Sequence, residues 1–250
     1  MADIQLYQGD CLEIMARGPD NSIDAIITDP PYGTTTCKWD FVIPFEPMWV
    51  QLKRIIKKKR AIVLFGSQPF TSALIMSNVK MFKYEWVWDK HIPRNFINAK
   101  IMPTQKHENV IVFGYDKINY YPIMVKRNKP VTVKNYSKKN KTSAYELNKT
   151  GSDNKVYTYT HKYPNTIIIG KWEANKGKVH PTQKPVALME YLIKTYTNEN
   201  ETVLDFAMGS GTTGVACKLL NRNFIGIEND PKYFKIAENR IKKANSLFVK

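Results

Sequence analysis

The stretch VLDFAMGSGTTG, Val203 to Gly214, reads as a short apolar strand running into a Gly-x-Gly-x-x-Gly turn, and it lies 36 residues before Lys250. A nucleotide-binding turn of this kind needs a strand before it, a helix after it, a second strand ending in an acid, and further parallel strands to complete the sheet. Downstream the sequence supplies a helix over Val215–Leu220, a strand over Phe224–Ile227 with Glu228 at its end, and a last helix. The remaining strands must come from upstream. The cofactor turn therefore follows the rest of its sheet, and the catalytic half of the fold is expected near the N-terminus.

Working outward, short β-like runs lie at Ile4–Tyr7, Ile23–Thr28, Ala61–Phe65, Tyr84–Trp88, Asn109–Phe113, Thr202–Asp205 and Phe224–Ile227. Helix-like segments such as Phe45–Lys57, Pro69–Ser77 and Pro185–Thr195 alternate with most of them. This alternation predicts an α/β fold with a doubly wound, mostly parallel sheet. The stretch Lys117–Val179 is different in kind: it is rich in Lys, Asn, Tyr and Thr with poor helical periodicity, and reads as a loop-rich insert or small domain. The expected organisation is a catalytic half over 1–115, an insert over 116–178 and a cofactor-binding half over 179–250.

At 250 residues the chain can bury a sizeable core, and no apolar run approaches the roughly 20 residues of a membrane span. No basic-then-apolar signal pattern opens the sequence, so a cytoplasmic location without a membrane partner is expected. Cys11, Cys37 and Cys217 lie far apart, and the four histidines show no ligand spacing. Neither a disulfide framework nor a metal site is expected. The formal charge of +16 points to a polyanion. Between Asp116 and Lys178 there are 14 Lys or Arg against 4 Asp or Glu, with seven tyrosines interleaved. Cations suit phosphates and flat rings suit unpaired bases, so nucleic acid fits this mixture better than an anionic membrane. Lys126, Arg127, Lys129, Lys138 and Lys139 are its candidate phosphate contacts.

Directly after the apolar run Ile23–Thr28 stands Asp29-Pro30-Pro31-Tyr32. By average residue usage this tetrapeptide arises by chance about once in a thousand chains of this length. A proline-fixed turn explains Pro30 and Pro31 but leaves Asp29 and Tyr32 arbitrary. A functional reading uses all four, because the prolines hold a carboxylate and a ring at the carboxyl end of a strand, where open α/β sheets bind ligands. An exocyclic amino group on a nucleobase has two hydrogens and a lone pair delocalised into the ring. Acceptance of both hydrogens, by Asp29 and the Pro30 carbonyl, favours a pyramidal nitrogen whose lone pair points outward. Tyr32 is suited to stack on the base. Such chemistry needs the base out of the duplex.

Taken alone, Gly209, Gly211 and Gly214 with Glu228 suit ribose in either a dinucleotide or an S-adenosylmethionine site, and tight helix–strand packing would also explain the glycines. Asp205 at the strand end ahead of the turn, and the split order, favour S-adenosylmethionine.

With these two motifs in this order the chain resembles the DNA amino-methyltransferases of the N6-adenine/N4-cytosine family. The resemblance is to the permuted class, in which Asp-Pro-Pro-Tyr comes first, a target-recognition region follows and Phe-x-x-Gly-x-Gly comes last. It spans Ile4 to Arg240 apart from the insert. It implies a circularly permuted, Rossmann-like methyltransferase fold, with Asp29, Pro30, Pro31 and Tyr32 holding the target base. It also implies that Asp205, Phe206, Ala207, Gly209, Ser210, Gly211 and Thr212 wrap S-adenosylmethionine, with Glu228 and Asn229 at its ribose. The segment His180–Pro185 resembles the family's third cofactor element, which puts Thr182, Gln183, Lys184 and Pro185 at the cofactor; a helix-entry loop with Pro185 at the first helical position explains it too. Asp10 and Cys11 resemble the element near the cofactor adenine, and a helix cap at Asp10 is the alternative. Trp39, Arg94 and Asn95 lie in loops suited to touch DNA near a flipped base.

The expected activity is methylation of adenine N6 in double-stranded DNA, since cytosine-N4 members more often carry Ser at the first motif position. No cysteine sits in a motif suited to attack a cytosine ring, which disfavours carbon-5 methylation. The rivals are cytosine N4 or RNA as target, a nucleic-acid-binding module with an inactive nucleotide site, and an NAD-dependent oxidoreductase. Some relatives dimerise and some pair with a restriction endonuclease, so a homodimer and such a partner are family-level expectations.

Overall fold

The computed structural model describes residues 2–34, 40–94, 96–134, 156–169 and 183–244. Trp39, Asn95, Lys138, Lys139 and Thr182 lie outside the described residues, as does the side chain of Arg94. In chain order the elements are β1 (Ile4–Gln8), α1 (Cys11–Arg17), β2 (Ile23–Thr28), α2 (Phe45–Ile55), β3 (Ile56–Gly66), α3 (Phe70–Ser77), β4 (Phe82–Arg94) and β5 (Gln105–Gly114). There follow β6 (Val125–Lys134), β7 (Val156–Lys162), β8 (Ile167–Ile168), α4 (Val186–Tyr196), β9 (Thr202–Asp205), α5 (Thr212–Leu219), β10 (Asn223–Glu228) and α6 (Pro231–Lys243). They form two compact units, one of Met1–Tyr121 with Thr166–Lys250 and one of Pro122–Asn165.

The larger unit is built on an eight-stranded sheet in the order β1-β10-β9-β2-β3-β5-β4-β8. Every neighbour from β1 to β3 pairs in parallel. Strand β2 is buried at all six positions, as a central parallel strand must be when helices cover both faces. Its side chains alternate between two cores. Ala25 and Ile27 pack with Leu188, Leu192 and Tyr196 of α4, Cys217 of α5 and Ile241 of α6. Ile23 and Ile26 pack with Met15 of α1, Trp49 and Leu52 of α2 and Leu74 of α3. The doubly wound architecture follows from that alternation.

Two features depart from the sequence reading. Strand β3 starts at Ile56, directly from α2 and inside the helix expected to reach Lys57, with Lys59 at φ 60 and a register shift before Ala61 restores regular pairing. Beyond β3 the sheet changes sense, because β5 runs antiparallel to β3 and β4 antiparallel to β5.

The chain ends interleave. Strands β9 and β10 insert between β1 and β2, so the glycine turn and the Asp-Pro-Pro-Tyr motif leave adjacent strands at the same end of the sheet. The backbone N–H of Phe206 donates to Thr28 Oγ1 at 3.2 Å across 178 residues of sequence. At the opposite end Asp24, buried at the start of β2, accepts from Lys57 Nζ at 2.9 Å and from the Thr202 N–H at 3.0 Å. Arg60 completes that cluster, 3.1 Å from Asp24 and 2.5 Å from Glu201.

The smaller unit corrects the loop-rich reading of its segment: β6 and β7 pair antiparallel, Val131 opposite Tyr159 and Val133 opposite Tyr157. The β-branched and aromatic residues favour the pleated strand, but both faces are exposed and charged, so the apolar alternation that signals a half-buried strand is faint.

Candidate active site

A cavity of about 660 Å³ opens where β2 and β9 end. Asp29, Pro30, Pro31 and Tyr32 all line it, as do Asp10, Cys11, Gln183, Lys184, Asp205, Phe206, Ala207, Gly209, Ser210, Thr212, Glu228 and Asn229. Gly211 and Pro185 are not on its wall. Pro185, expected at the first helical position, is instead the N-cap of α4, which starts one residue later at Val186, and Gly211 is the N-cap of α5.

The three turn glycines do different work. Gly209, at φ 52, lines the cavity, and a Cβ built there would meet nothing within 4 Å. Gly211, at φ 77, leaves only 3.0 Å between such a Cβ and Ala237 Cα. At Gly214 the Cβ would stand 2.6 Å from the Phe224 ring. Thus Gly211 and Gly214 let α5 close onto α6 and β10, while Gly209 leaves a bare concave surface toward the cavity. Asp205 is buried; Thr213 Oγ1 donates to it at 2.5 Å and the Ala207 N–H at 3.2 Å, and burial pushes its carboxyl up to about 7. Glu228 accepts the N–H of Gly209 at 2.8 Å through Oε2 and that of Asp230 at 2.8 Å through Oε1, so it holds the turn from the neighbouring strand. Burial raises its pKa. Asp10 caps α1 by accepting from the N–H groups of Leu12 and Glu13, and the Cys11 thiol beside it is pushed up to about 12 by burial, which leaves it protonated.

At the other wall the Tyr32 hydroxyl donates to Asp29 Oδ1 at 2.5 Å and its ring stacks on Phe70, with centroids 5.0 Å apart. Burial, reinforced by Asp29, raises the Tyr32 pKa well above 10, so the phenol stays a donor. Lys184 Nζ lies 2.5 Å from Asp29 Oδ2, with the Phe65 ring beneath it at 4.9 Å. Both carboxylate oxygens of Asp29 are therefore engaged. Burial pushes the Asp29 carboxyl up, and the Lys184 ammonium pulls it back down.

Several residues of this wall were missed from sequence. Asp40 accepts the N–H groups of Tyr32, Gly33 and Thr34 at 2.8 to 2.9 Å and so shapes the chain after the motif. Glu108 of β5 stands 3.1 Å from Lys184 and is ion-paired to Lys90 of β4. Arg240 of α6 donates to Ser210 Oγ at 2.8 Å behind the turn. Lys90 and Glu108 sit in charged stretches of β4 and β5 that do not set them apart from their neighbours, and nothing in local spacing joins the two.

The site thus combines a glycine turn with a bare concave face, a buried acid ahead of it and a half-buried one on the next strand, and a carboxylate at a proline-fixed strand end. Comparison with known proteins agrees with this picture. The family model described as DNA methylase, of the N6/N4 methyltransferases, matches residues 23–239. Type II methyltransferase M2.MboI of Moraxella bovis is 26% identical over 264 residues, covering 95% of this chain and 87% of that protein. Type II methyltransferase M.HinfI of Haemophilus influenzae is 29% identical over 265 residues, covering 95% and 68%. Among solved structures, the M1.HpyAVI–SAM complex is 30% identical with a TM-score of 0.63, covering 95% of this chain and 98% of that one. The cytosine-N4-specific PvuII DNA methyltransferase, at 18% identity and a TM-score of 0.66, shares the fold over 96% of this chain and 86% of its own.

Proposed function

The chain belongs to the N6/N4 DNA methylase family, and from that premise we propose that it is a permuted-class enzyme transferring a methyl group from S-adenosylmethionine to the N6 amino group of an adenine flipped out of double-stranded DNA. The observation that carries the proposal is the Phe206–Thr28 hydrogen bond, which joins the strand end bearing Asp29 to the strand end bearing the glycine turn, above one cavity.

The residues present fit the cofactor. The open face at Gly209 accommodates a ligand that a Cβ would obstruct, and Glu228 offers free lone pairs at the edge of the turn to ribose hydroxyls. Asp205, Phe206, Ser210 and Thr212 line the same wall, with Asp10 and Asn229 at its far side. When bound, S-adenosylmethionine supplies a methyl group on an already activated sulfonium centre. With it bound, Asp29 and the Pro30 carbonyl would accept the two amino hydrogens and so leave the nitrogen lone pair directed outward to take the methyl group. The proton lost from the methylated nitrogen leaves by Asp29. Tyr32, braced by Phe70, positions the carboxylate and offers its remaining ring face to the base.

Asp rather than Ser at the first motif position favours adenine over cytosine. The basic unit Pro122–Asn165 is assigned target recognition within the insert 116–178, with Lys126, Arg127 and Lys129 on phosphates. The Type II names of the relatives support a cognate restriction endonuclease as partner, acting with this enzyme in the cytoplasm. The test is transfer from labelled S-adenosylmethionine to unmethylated DNA followed by digestion to nucleosides. Label in N6-methyladenine, lost by at least about a hundredfold in Asp29→Ala, is expected. Label in N4-methylcytosine would replace the target base, and label in neither would refute the activity.

A further inference from the structure

Both carboxylate oxygens of Asp29 already accept a donor, Oδ1 from Tyr32 and Oδ2 from Lys184. A target amino group has to share one of these oxygens, and it is accepted most strongly where the donor already there can lean away. The Lys184 side chain is only 8% exposed, so its ammonium cannot simply turn to solvent. It has one other acceptor at hand. Glu108 Oε2 lies 3.1 Å from Nζ, shut off from solvent and without an aligned hydrogen bond, while Lys90 neutralises the same carboxylate from the neighbouring strand.

Resting on the reading of Asp29 given above, we propose that Glu108 is a positioning residue for methyl transfer: it takes over the Lys184 ammonium when the target amino group enters, and so frees Asp29 Oδ2 to accept a hydrogen. Lys184 is then a shuttling donor between two carboxylates, and the Lys90–Glu108 pair is the fixed anchor that keeps the exchange electroneutral. Burial of four charges makes sense on this view, since two carboxylates and two ammonium groups balance with either partner on Lys184. The side chain of Lys184 needs to travel little, because it already lies between the two acceptors.

The charges around Asp29 set the pH behaviour. They are Lys184 ahead of α4, Glu108 on β5, Lys90 behind it on β4 and Asp205 at the end of β9, with the neutral phenol of Tyr32 as donor. The negative charge of Glu108 raises the pKa of Asp29, and Lys184 lowers it. Glu108→Gln removes the first influence and leaves Lys184 devoted to Asp29. The carboxylate then ionises at lower pH yet is harder to reach. The expected signature is a kcat/KM for DNA reduced about tenfold or more, with its acid limb moved to lower pH, and unchanged S-adenosylmethionine affinity. A merely structural role would lower cofactor affinity or the active fraction, and its effect would persist undiminished in the Lys184→Met background.

The test measures pH profiles of methyl transfer for the wild type, Glu108→Gln, Glu108→Asp and Lys184→Met, with cofactor affinity by calorimetry. Glu108→Asp keeps the charge and is expected to restore the wild-type acid limb; it carries the test if Glu108→Gln loses cofactor binding. Adding Glu108→Gln to Lys184→Met is expected to change the rate less than twofold, because Glu108 acts through the lysine. Full activity in Glu108→Gln, an unmoved limb, or independent effects of the two substitutions would overturn the role of Glu108. An inactive wild type, or an active Asp29→Ala, would instead overturn the reading of the site beneath it.

Discussion

At the residue scale the glycine turn separates binding from stability. An alanine at Gly211 must hold φ near 77 and press its Cβ to 3.0 Å from Ala237 Cα, whereas one at Gly209 meets open space. The left-handed conformation costs roughly 1–2 kcal/mol at either position. Crowding adds about 1–3 kcal/mol at Gly211 alone. Urea unfolding of Gly211→Ala should therefore show the larger loss of stability. Gly209→Ala should keep most of its stability and lose S-adenosylmethionine affinity about tenfold by calorimetry, because its methyl group occupies the cofactor's wall. The sequence pattern marked all three glycines but could not say which one faces a ligand, since that depends on where α6 and β10 come to rest. Lys184 illustrates the same limit. Its motif suggested the cofactor, while its ammonium rests on Asp29, 155 residues away.

At the element scale the parallel half of the sheet was legible because its strands are short apolar runs bounded by turns and alternating with helices. The sense of β4 and β5 was not, since an apolar run reads alike in either direction. With it went Lys90 and Glu108, which reach the site only through the antiparallel pairing of Asp89 with His107 and its neighbours. The hairpin β6–β7 escaped for a different reason, its strands having no buried face to impose a period. At the end of the sheet away from the cavity, Arg60 joins β3 to Asp24 of β2 and to Glu201 just ahead of β9. Arg60 is 16% exposed and Asp24 6%, so Arg60→Ala leaves a buried carboxylate short of countercharge. A loss of about 3 kcal/mol in chemical unfolding is expected, with cofactor affinity nearly unchanged because the cluster lies across the sheet from the site.

At the scale of the whole molecule, a formal charge of +16 sets how the protein meets DNA. If Lys126 and Arg127 each neutralise one phosphate, replacing either with alanine should weaken binding to every duplex alike. It should also reduce the slope of log K against log salt by about one, as read by fluorescence anisotropy across a salt series. A slope equal to that of the wild type would remove the residue from the phosphate interface. The interleaved strand order reaches further, into how the molecule is made. On a ribosome adding about 5–20 residues per second, β1 emerges first yet its sheet partner β10 comes more than two hundred residues later. The nascent chain therefore spends tens of seconds with β1 unpaired and one edge of β2 open, and that edge closes only when β9 arrives. A prematurely ended chain lacks both the glycine turn and the strands that seal its sheet, so a half-made copy presents open strand edges to chaperones and proteases.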